Sequence, residues 1–309
     1  MSQSAAYESV QAGTKENRAN DLGMTEALLV PVGVNGVYAR TALFEQVVES
    51  LSACISGWRE PETEVLRFPP VMSRAQLERS GYHHNFPHLL GCVSSLEGDE
   101  ASIHTVANRP DWSDHLAASG LVLSPAACYP VYPLAAARGF VPPEGLRFDV
   151  ASYCFRHEAT HELGRLQSFQ MREYVCIGKP ETVLDFRERW IAKSEELAGL
   201  LGLSHQLAPA SDPFFGRAGR LAALSQLQRA LKFEMLIPVR SEEDPTACMS
   251  FNYHLDHFSA VWQFKSEDGE PIHSGCAAFG IDRLALALFA AHGIDTAKWP
   301  RTARVTLSL

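Results

Sequence analysis

The residues between positions 155 and 173 have the clearest chemical potential in the chain, and they support two incompatible interpretations. One is His157-Glu158-x-x-His161, the HExxH spacing at which two imidazoles on one face of a helix bind zinc while the glutamate acts as a base. The flanking residues favour strands rather than a helix, and Gln167 stands where a third histidine would complete one common form of that site. An HExxH zinc metalloprotease is therefore a remote alternative. If the chain is not such a protease, both histidines are loop residues near a polar site.

The second interpretation is a β-hairpin that holds ATP. Arg156 ends one strand and offers a planar fork to a phosphate oxygen, while Glu158, two residues on, can accept from the adenine amino group. Phe169 on the returning strand can stack on the adenine. Further along, Gly280 lets the backbone approach closely, and Arg283 can stack on the other side of the base and reach the γ-phosphate. Each motif alone is weakly diagnostic, but the two in this order favour a nucleotide site.

The elements that must position these residues follow from the apolar periodicity and from the turn residues. Many strands with few crossover helices indicate an α+β fold, with an antiparallel sheet flanked by helices. The predicted strands are 28–34, 65–71, 121–123, 148–155, 166–177, 232–239, 261–264 and 272–279. The predicted helices are 40–58, 73–80 with Ser73 as its N-cap, 125–138, 180–201, 218–231 and 282–292. On the strand that carries Phe169, we expect Met171 and Glu173 to share its side.

The bulk properties exclude several classes of protein. The 309 residues have a formal net charge of −9 and contain no basic run, which argues against a nucleic-acid partner. Seven cysteines, an odd number without a CxxC pair, fit a reducing cytoplasm better than a disulfide framework. No signal pattern and no apolar run of about 20 residues is present, so we expect no membrane partner. Residues 1–22 have the composition of a disordered tail.

The nucleotide motifs make the chain resemble the catalytic core of class II aminoacyl-tRNA synthetases over roughly residues 40–309. Phe155–Glu173 resembles motif 2, Gly275–Leu288 resembles motif 3, and Phe68–Gly81 is similar to the end of motif 1 and the helix after it. The segment Ser124–Cys128 resembles the part that faces the substrate amino group in seryl enzymes. The resemblance implies an antiparallel sheet with flanking helices and a homodimer formed through motif 1.

The resemblance also implies a metal. In the archaeal type of seryl enzyme, zinc ligands correspond to Cys128, Glu173 and Cys276, and two thiolates with one carboxylate suit tetrahedral zinc with one open position. That open position would take the α-amino group of a small amino acid. The alternative is that both cysteines are buried core residues, since three such widely separated positions form no metal motif by themselves.

The function implied by the resemblance depends on what the chain lacks. Seryl synthetases carry a long N-terminal arm for tRNA, whereas here about 40 residues precede the first core helix. The chain therefore resembles amino acid:carrier protein ligases, truncated seryl-type homologues that activate glycine or alanine with ATP and transfer it to the phosphopantetheine thiol of a carrier protein. We expect a catalytic domain over 23–309, no tRNA-binding domain, and a helical carrier-docking segment near 205–232 that carries basic residues and no acid from 217 onward. A seryl-tRNA synthetase acting on tRNA remains the main alternative.

The resemblance assigns roles to individual residues. Arg156 and Arg283 are the catalytic residues, because positioning and charge neutralisation drive this chemistry. The ATP-binding residues are Arg156, Glu158, Arg165, Leu166, Phe169, Ala247, Cys248, Met249, Ser250 and Arg283. The amino-acid-binding residues are Cys128, Arg156, Glu173, Lys232 and Cys276, of which Cys128, Glu173 and Cys276 hold one Zn²⁺ per subunit. Mg²⁺ accompanies ATP and bridges its phosphates.

Overall fold

The computed structural model describes residues 26–158 and 164–309. In chain order the strands are β1 (Leu29–Pro31), β2 (Tyr38–Arg40), β3 (Glu64–Arg67), β4 (Val71–Ser73), β5 (Cys92–Leu96), β6 (Leu116–Leu123), β7 (Phe140–Val141), β8 (Leu146–Phe155), β9 (Ser168–Gly178), β10 (Gln206–Pro209), β11 (Lys232–Ile237), β12 (Thr246–Leu255), β13 (Lys265–Ser266) and β14 (His273–Gly280). The helices are α1 (Ala42–Gly57), α2 (Arg74–Arg79), α3 (Tyr82–Asn85), α4 (Glu100–Ala107), α5 (Val131–Ala136), α6 (Pro180–Leu200), α7 (Gly216–Gln228), α8 (His257–Trp262), α9 (Ile281–His292) and α10 (Arg301–Leu307). Short 3₁₀ turns occupy Pro87–Leu89, Ser113–His115 and Thr296–Lys298.

A seven-stranded sheet forms the centre of the fold, in the spatial order β10-β11-β12-β14-β9-β8-β3. Every neighbouring pair is antiparallel except β3 with β8, which is parallel. A three-stranded sheet, β4-β6-β5, and the pairs β1-β2 and β7-β13 lie beside it. The predicted antiparallel sheet flanked by helices is therefore confirmed, with one parallel strand at its edge.

The two faces of the central sheet bury different residues, as the two-residue period of a strand requires. The back face packs on α1, α6 and α9, and on β9 it buries Tyr174 and Cys176. The front face packs on α5 and α8, and on the same strand it buries Met171 and Val175. Glu173 is also buried, and it lines a front-face cavity together with Phe169 and Met171. The three residues predicted to share one side of this strand do so.

Local sequence signals predicted most helix boundaries. The Ser73 side chain accepts a hydrogen bond from the Gln76 backbone N–H, so it is the N-cap of α2. Helix α6 ends just before Gly202, whose φ of +68° is a conformation that glycine adopts without strain. Gly293 ends α9 with a φ of +80°.

Two predicted elements are wrong. No strand exists at 261–264, because Val261 and Trp262 complete α8 and Gln263 ends that helix with a φ of +58°. The helix predicted over 125–138 is only α5, which begins after Pro130. Before it, the Cys128 backbone N–H donates to Glu173 Oε1 at 3.1 Å instead of taking part in a helical ladder.

The tail predicted over residues 1–22 lies outside the described residues. Across residues 26–158 and 164–309, no helix combines the length and the apolar character that crossing a bilayer requires.

Candidate active site

A cavity of about 440 Å³ opens on the front face of the central sheet. Its floor is formed by β9, β11, β12 and β14, and its walls come from α3, the segment 125–129, the segment 212–214 and one side of α7. The middle of an antiparallel sheet is rigid because every strand there is paired on both sides, so side chains that point into the cavity are held in fixed positions.

The hairpin β8–β9 brings Arg156 to this cavity. Its backbone N–H donates to the Gln167 carbonyl at 2.9 Å and continues the pairing of the two strands beyond their ends. Its guanidinium donates through Nε to the Pro125 carbonyl at 3.2 Å, and its Cζ lies 5.4 Å from the centre of the Phe169 ring. Arg156 and Phe169, which the sequence predicts to act on the same nucleotide, are therefore adjacent in the cavity.

Arg283 reaches the cavity from the first turn of α9. Its Nε donates to the Gly164 carbonyl and its Nη1 to the Ala247 carbonyl, both at 2.8 Å. Burial, which outweighs the opposing effect of the Cys248 thiol, lowers the pKa of Arg283. These hydrogen bonds go to neutral carbonyl oxygens, so the positive charge is available to an anion in the cavity.

Most of the predicted nucleotide residues come together here. Arg156, Leu166, Phe169, Ala247, Cys248, Met249, Ser250 and Arg283 all line the cavity. Glu158 and Arg165 do not line it; their side chains form an ion pair at 3.5 Å where the hairpin loop begins and ends. The rest of that loop, 159–163, lies outside the described residues.

The HExxH interpretation lacks the helix that it needs over its described part. His157 follows the end of β8 in non-helical backbone, is exposed, and donates its N–H to the Leu89 carbonyl at 3.0 Å. His161 lies outside the described residues.

Cys128, Glu173 and Cys276 converge in the cavity although they come from a turn and two strands. Their ligand atoms lie within 4.8 Å of one another, and all three side chains are buried. Hydrogen bonding to Cys276, burial and the neighbouring Glu173 together raise the pKa of Cys128 well above its usual range. A divalent cation would remove that penalty, because it is the counter-charge that lets buried thiolates form. Two sulfurs and one carboxylate oxygen are a donor set that fits tetrahedral Zn²⁺ with one position open.

Two residues that were not predicted for the metal site contact this cluster from β12. Asn252 Nδ2 donates to Cys276 Sγ at 3.4 Å, and His254 Nε2 lies 3.8 Å from the same sulfur. Burial and the charge of His257 lower the pKa of His254 to about 3, so its imidazole is neutral. The signal was the alternation Ser250, Asn252, His254, three polar residues at a period of two on one strand.

Lys232 lies where the predicted amino-acid site meets α7. Its Nζ is 2.6 Å from Asp212 Oδ1 and 2.9 Å from Glu234 Oε1. Burial alone would lower the pKa of Lys232, but these two carboxylates raise it, so the side chain is an ammonium. Asp212 was not predicted, because nothing local in the sequence links it to a lysine twenty residues away.

Comparison with known proteins identifies the family. No protein-family model matches the chain. Amino acid–acyl-carrier-protein ligase 1 of Bradyrhizobium diazoefficiens is 57% identical over 290 residues, which cover 93% of this chain and 89% of that ligase. Ligase 2 of the same bacterium is 56% identical over 290 residues. The chain belongs to the amino acid–acyl-carrier-protein ligase family. The sequence-based assignment to that family is confirmed.

Solved structures show which proteins share the fold of this ligase-family chain. The seryl-tRNA synthetase of Methanopyrus kandleri, in complex with a tRNA, superposes with a TM-score of 0.77 at 23% identity, covering 91% of this chain and 58% of that one. The Pyrococcus horikoshii seryl-tRNA synthetase complexed with ATP gives 0.65 at 14% identity. In sequence, the type-2 serine–tRNA ligase of M. kandleri is 32% identical over 194 residues, which are 36% of its length. The predicted class II synthetase-like fold is confirmed, and these neighbours establish the fold alone.

Proposed function

We propose that this protein activates a small amino acid, glycine or alanine, with ATP and transfers it to the phosphopantetheine thiol of an acyl-carrier protein. The observation that carries the proposal is the 57% identity to B. diazoefficiens amino acid–acyl-carrier-protein ligase 1 across 89% of that enzyme. The cavity on the front face of the sheet supports the same chemistry, since it brings most of the residues predicted for a nucleotide together with the three predicted for a metal.

The first step is attack of the amino-acid carboxylate oxygen on the α-phosphorus of ATP, which forms an aminoacyl-adenylate and releases pyrophosphate. Arg156 is the residue we assign to the α-phosphate, and Arg283 the one we assign to the γ-phosphate. Phe169 is the residue we assign to stacking on the adenine, and its ring centre lies 5.4 Å from the Arg156 guanidinium carbon. Mg²⁺ would accompany ATP and would offset the negative charge of its phosphates. Glu158 and Arg165, which form an ion pair at 3.5 Å, are the residues we assign to the adenine side of the nucleotide.

Cys128, Glu173 and Cys276 are the residues we assign to one Zn²⁺. When bound, the ion supplies an electrophilic site for the α-amino group of the substrate. Asn252 supports the site by donating a hydrogen bond to Cys276 Sγ. The chain orients the amino group in this way and leaves the carboxylate directed at the nucleotide.

In the second step the carrier thiol attacks the adenylate carbonyl carbon, a thioester forms, and AMP leaves. No nucleophile from this chain is needed for that step. We assign the carrier-docking surface to α7, whose Leu221, Leu224 and Leu227 are spaced along one side and are 66%, 53% and 40% exposed. The basic residues of the same stretch are Arg217, Arg220 and Arg229. Apolar centres with a basic rim suit an acidic carrier protein.

We also propose a homodimer and a cytoplasmic location. One edge strand of the central sheet, β3, directly precedes the segment that resembles the end of motif 1 and leaves Val65 exposed, which supports pairing of two copies along that edge. All seven cysteines lie in the described part of the chain as free thiols, and this supports a reducing compartment. We expect no tRNA partner.

Amino-acid-dependent exchange of pyrophosphate into ATP tests the first step. We expect exchange with glycine or alanine, and loss of exchange after incubation with a metal chelator, restored by zinc. Transfer to a phosphopantetheinylated carrier, measured by the mass of the loaded carrier, tests the second step. Attachment of serine to tRNA, with no loading of any carrier, would instead establish the tRNA synthetase alternative.

A further inference from the structure

The side chain of Gln226 and the residue Asp212 form a two-bond pair at the edge of the cavity. The Asp212 backbone N–H donates to Gln226 Oε1 at 2.7 Å, and Gln226 Nε2 donates to Asp212 Oδ2 at 2.8 Å. Together the bonds close a ring that fixes both the position and the rotation of the Asp212 carboxylate. Gln226 belongs to α7, so this carboxylate is held from a helix that otherwise meets solvent along most of its length.

The remaining oxygen of Asp212 holds Lys232. The ammonium donates to Asp212 Oδ1 at 2.6 Å and pairs with Glu234 at 2.9 Å. An ammonium has three N–H donors, so two are used and one remains. Gln226, Asp212, Lys232 and Glu234 all line the cavity. The third donor is thereby available to a ligand there, in a direction set by the other two.

The orientation of the Asp212 carboxylate matters because of the charges around it. Asp212 and Glu234 carry two negative charges against the single positive charge of Lys232. A freely rotating Asp212 could present its carboxylate to the cavity and repel the carboxylate of an amino acid. With Gln226 donating to one oxygen of Asp212 and Lys232 to the other, both oxygens are engaged, and Lys232 keeps an N–H donor for a ligand in the cavity.

Helix α7 also packs closely on the segment that carries Asp212. Gly219 is buried against the segment that carries Asp212, and a Cβ at this position would lie 2.6 Å from the Phe214 backbone carbon. Phe214 stacks on Phe86 at 5.0 Å, and the Phe215 N–H donates to the Asn85 carbonyl at 2.8 Å. The segment 212–215 is therefore packed closely between α3 and α7, and these contacts restrict its movement.

We infer that Gln226 is a positioning residue for amino-acid activation, because through Asp212 it orients the Lys232 ammonium toward the amino-acid carboxylate. Since Gln226 belongs to α7, the geometry of the adenylation site then depends on the position of that helix. The inference rests on the proposed function for its substrate, and on the contacts of Gln226 for its mechanism.

Pyrophosphate exchange without any carrier measures the effect on the first step alone. We expect Gln226→Ala to raise the KM for glycine about ten-fold, the order expected for losing hydrogen bonds to a charged group, with the KM for ATP unchanged. Gln228→Ala is the matched control, since Gln228 is exposed two residues further along the same helix. Equal KM values for glycine in Gln226→Ala and the wild type would overturn the inference.

Gln226→Glu adds a readout that lost packing would not produce. Above its pKa, the new carboxylate repels Asp212, and the KM for glycine should rise. Asp212 raises the pKa of this new group, and once protonated it can donate to Asp212 Oδ2 as the amide did. The ratio of variant to wild-type KM should therefore fall as the pH is lowered. A ratio that is independent of pH contradicts the mechanism.

A measurement that needs no activity separates this inference from the proposed function. Lys232 is held in a buried ion-paired cluster, so acetylation by an N-hydroxysuccinimide ester, followed by mass spectrometry, should label it slowly. We expect labelling of Lys232 to accelerate several-fold in Gln226→Ala and to stay unchanged in Gln228→Ala. Absence of exchange in the wild type would refute the proposed function, while unaltered labelling of Lys232 in Gln226→Ala would refute the positioning role.

Discussion

Asp149 offers a test of how the site is held from behind the sheet. This carboxylate on β8 is completely buried and accepts hydrogen bonds from Arg172 Nε at 2.9 Å, Arg59 Nε at 2.9 Å and Arg67 Nη1 at 3.2 Å. Arg172 is the neighbour of Glu173 on β9 and points to the opposite face. Replacing Asp149 by Asn keeps the shape but removes the charge that three guanidinium groups share.

The cost follows from the exposure of each arginine. Arg59 and Arg67 are 33% and 46% exposed, so water can solvate them and they contribute little. Arg172 is 3% exposed and would be left as an uncompensated buried charge. Breaking one side of such a pair costs about 3–5 kcal/mol, and we expect the lower end, about 3 kcal/mol, because Asn still accepts one hydrogen bond. At an unfolding entropy of about 2 cal/mol/K per residue, the melting temperature falls by about 5 °C.

The effect depends on pH in a defined direction. Burial opposes ionisation of Asp149, but Arg172 and the other arginines outweigh it and hold its pKa below the ordinary value of 3.8. A lowered carboxyl pKa stabilises the folded state above the unfolded-state pKa, and this contribution is lost as the pH falls further. The stability difference between wild type and Asp149→Asn should therefore be full at pH 5 and above, and should shrink below about pH 4.

Chemical denaturation at several pH values measures these differences. The control is Glu64→Gln, which breaks the exposed pair between Arg138 and Glu64 (2.7 Å) and should cost less than about 1 kcal/mol. Pyrophosphate exchange at 25 °C should change little in Asp149→Asn, because the hydrogen bonds from Arg172 to the Ser52 carbonyl and the Ser56 hydroxyl remain and still hold β9 in place. A loss no larger than that of Glu64→Gln, or one that does not vary with pH, would refute the reasoning.

Three further predictions concern the cavity and α7. Cys276→Ser should lose most of its bound zinc, measured by mass spectrometry of the metal, whereas Cys154→Ser, in the core beside it, should retain it; equal zinc in both would contradict the assigned ligands. Arg283→Lys should slow pyrophosphate exchange about 100-fold without loss of zinc, because an ammonium cannot reproduce the planar fork, and near-normal exchange would exclude the γ-phosphate role. Leu224→Asp should reduce carrier loading about ten-fold while exchange stays within about two-fold; undiminished loading would place the carrier elsewhere.

The nucleotide part of the site could be predicted because its determinants are local. Arg156 and Phe169 belong to one hairpin, and the two-residue period of its strands states which side chains share a face. Arg283 follows a strand directly at the start of a helix, where Gly280 marks the change of direction. Such positions depend on neighbours a few residues away, and a single sequence contains that information.

The metal ligands could not be predicted from spacing, and only the family resemblance pointed to them. Glu173 and Cys276 meet because β9 and β14 are neighbours, with Glu173 opposite Ala278 and Cys276 opposite Val175. These strands are separated along the chain by three helices and three other strands of the central sheet. Strand order is decided by burial across the whole domain, so no local pattern reveals which strands adjoin.

The same limit explains the wrong and the missing assignments. Val261, Trp262 and Phe264 are residues that favour strands, but the apolar side of α8 packs against α5, with Phe258 stacked on Tyr132 at 3.7 Å. Tertiary burial overrode the local preference. The pair of Gln226 with Asp212 was invisible for a related reason, since polar residues on an exposed helix give no signal of a partner.

The alternation of side chains between the two faces of β9 explains why the site can be rigid and still be open to ligands. Successive residues Arg172 and Glu173 point to opposite faces. Behind the sheet, Arg172 is fixed by Asp149 and by the Ser56 hydroxyl at 2.8 Å, which belongs to α1. In front, Glu173 accepts from the Cys128 N–H, which fixes the turn that presents the thiol. A displacement of β9 would have to break charged contacts on the back face before it could move Glu173 on the front face. The cavity therefore keeps its shape although no side chain of the described residues packs in its centre.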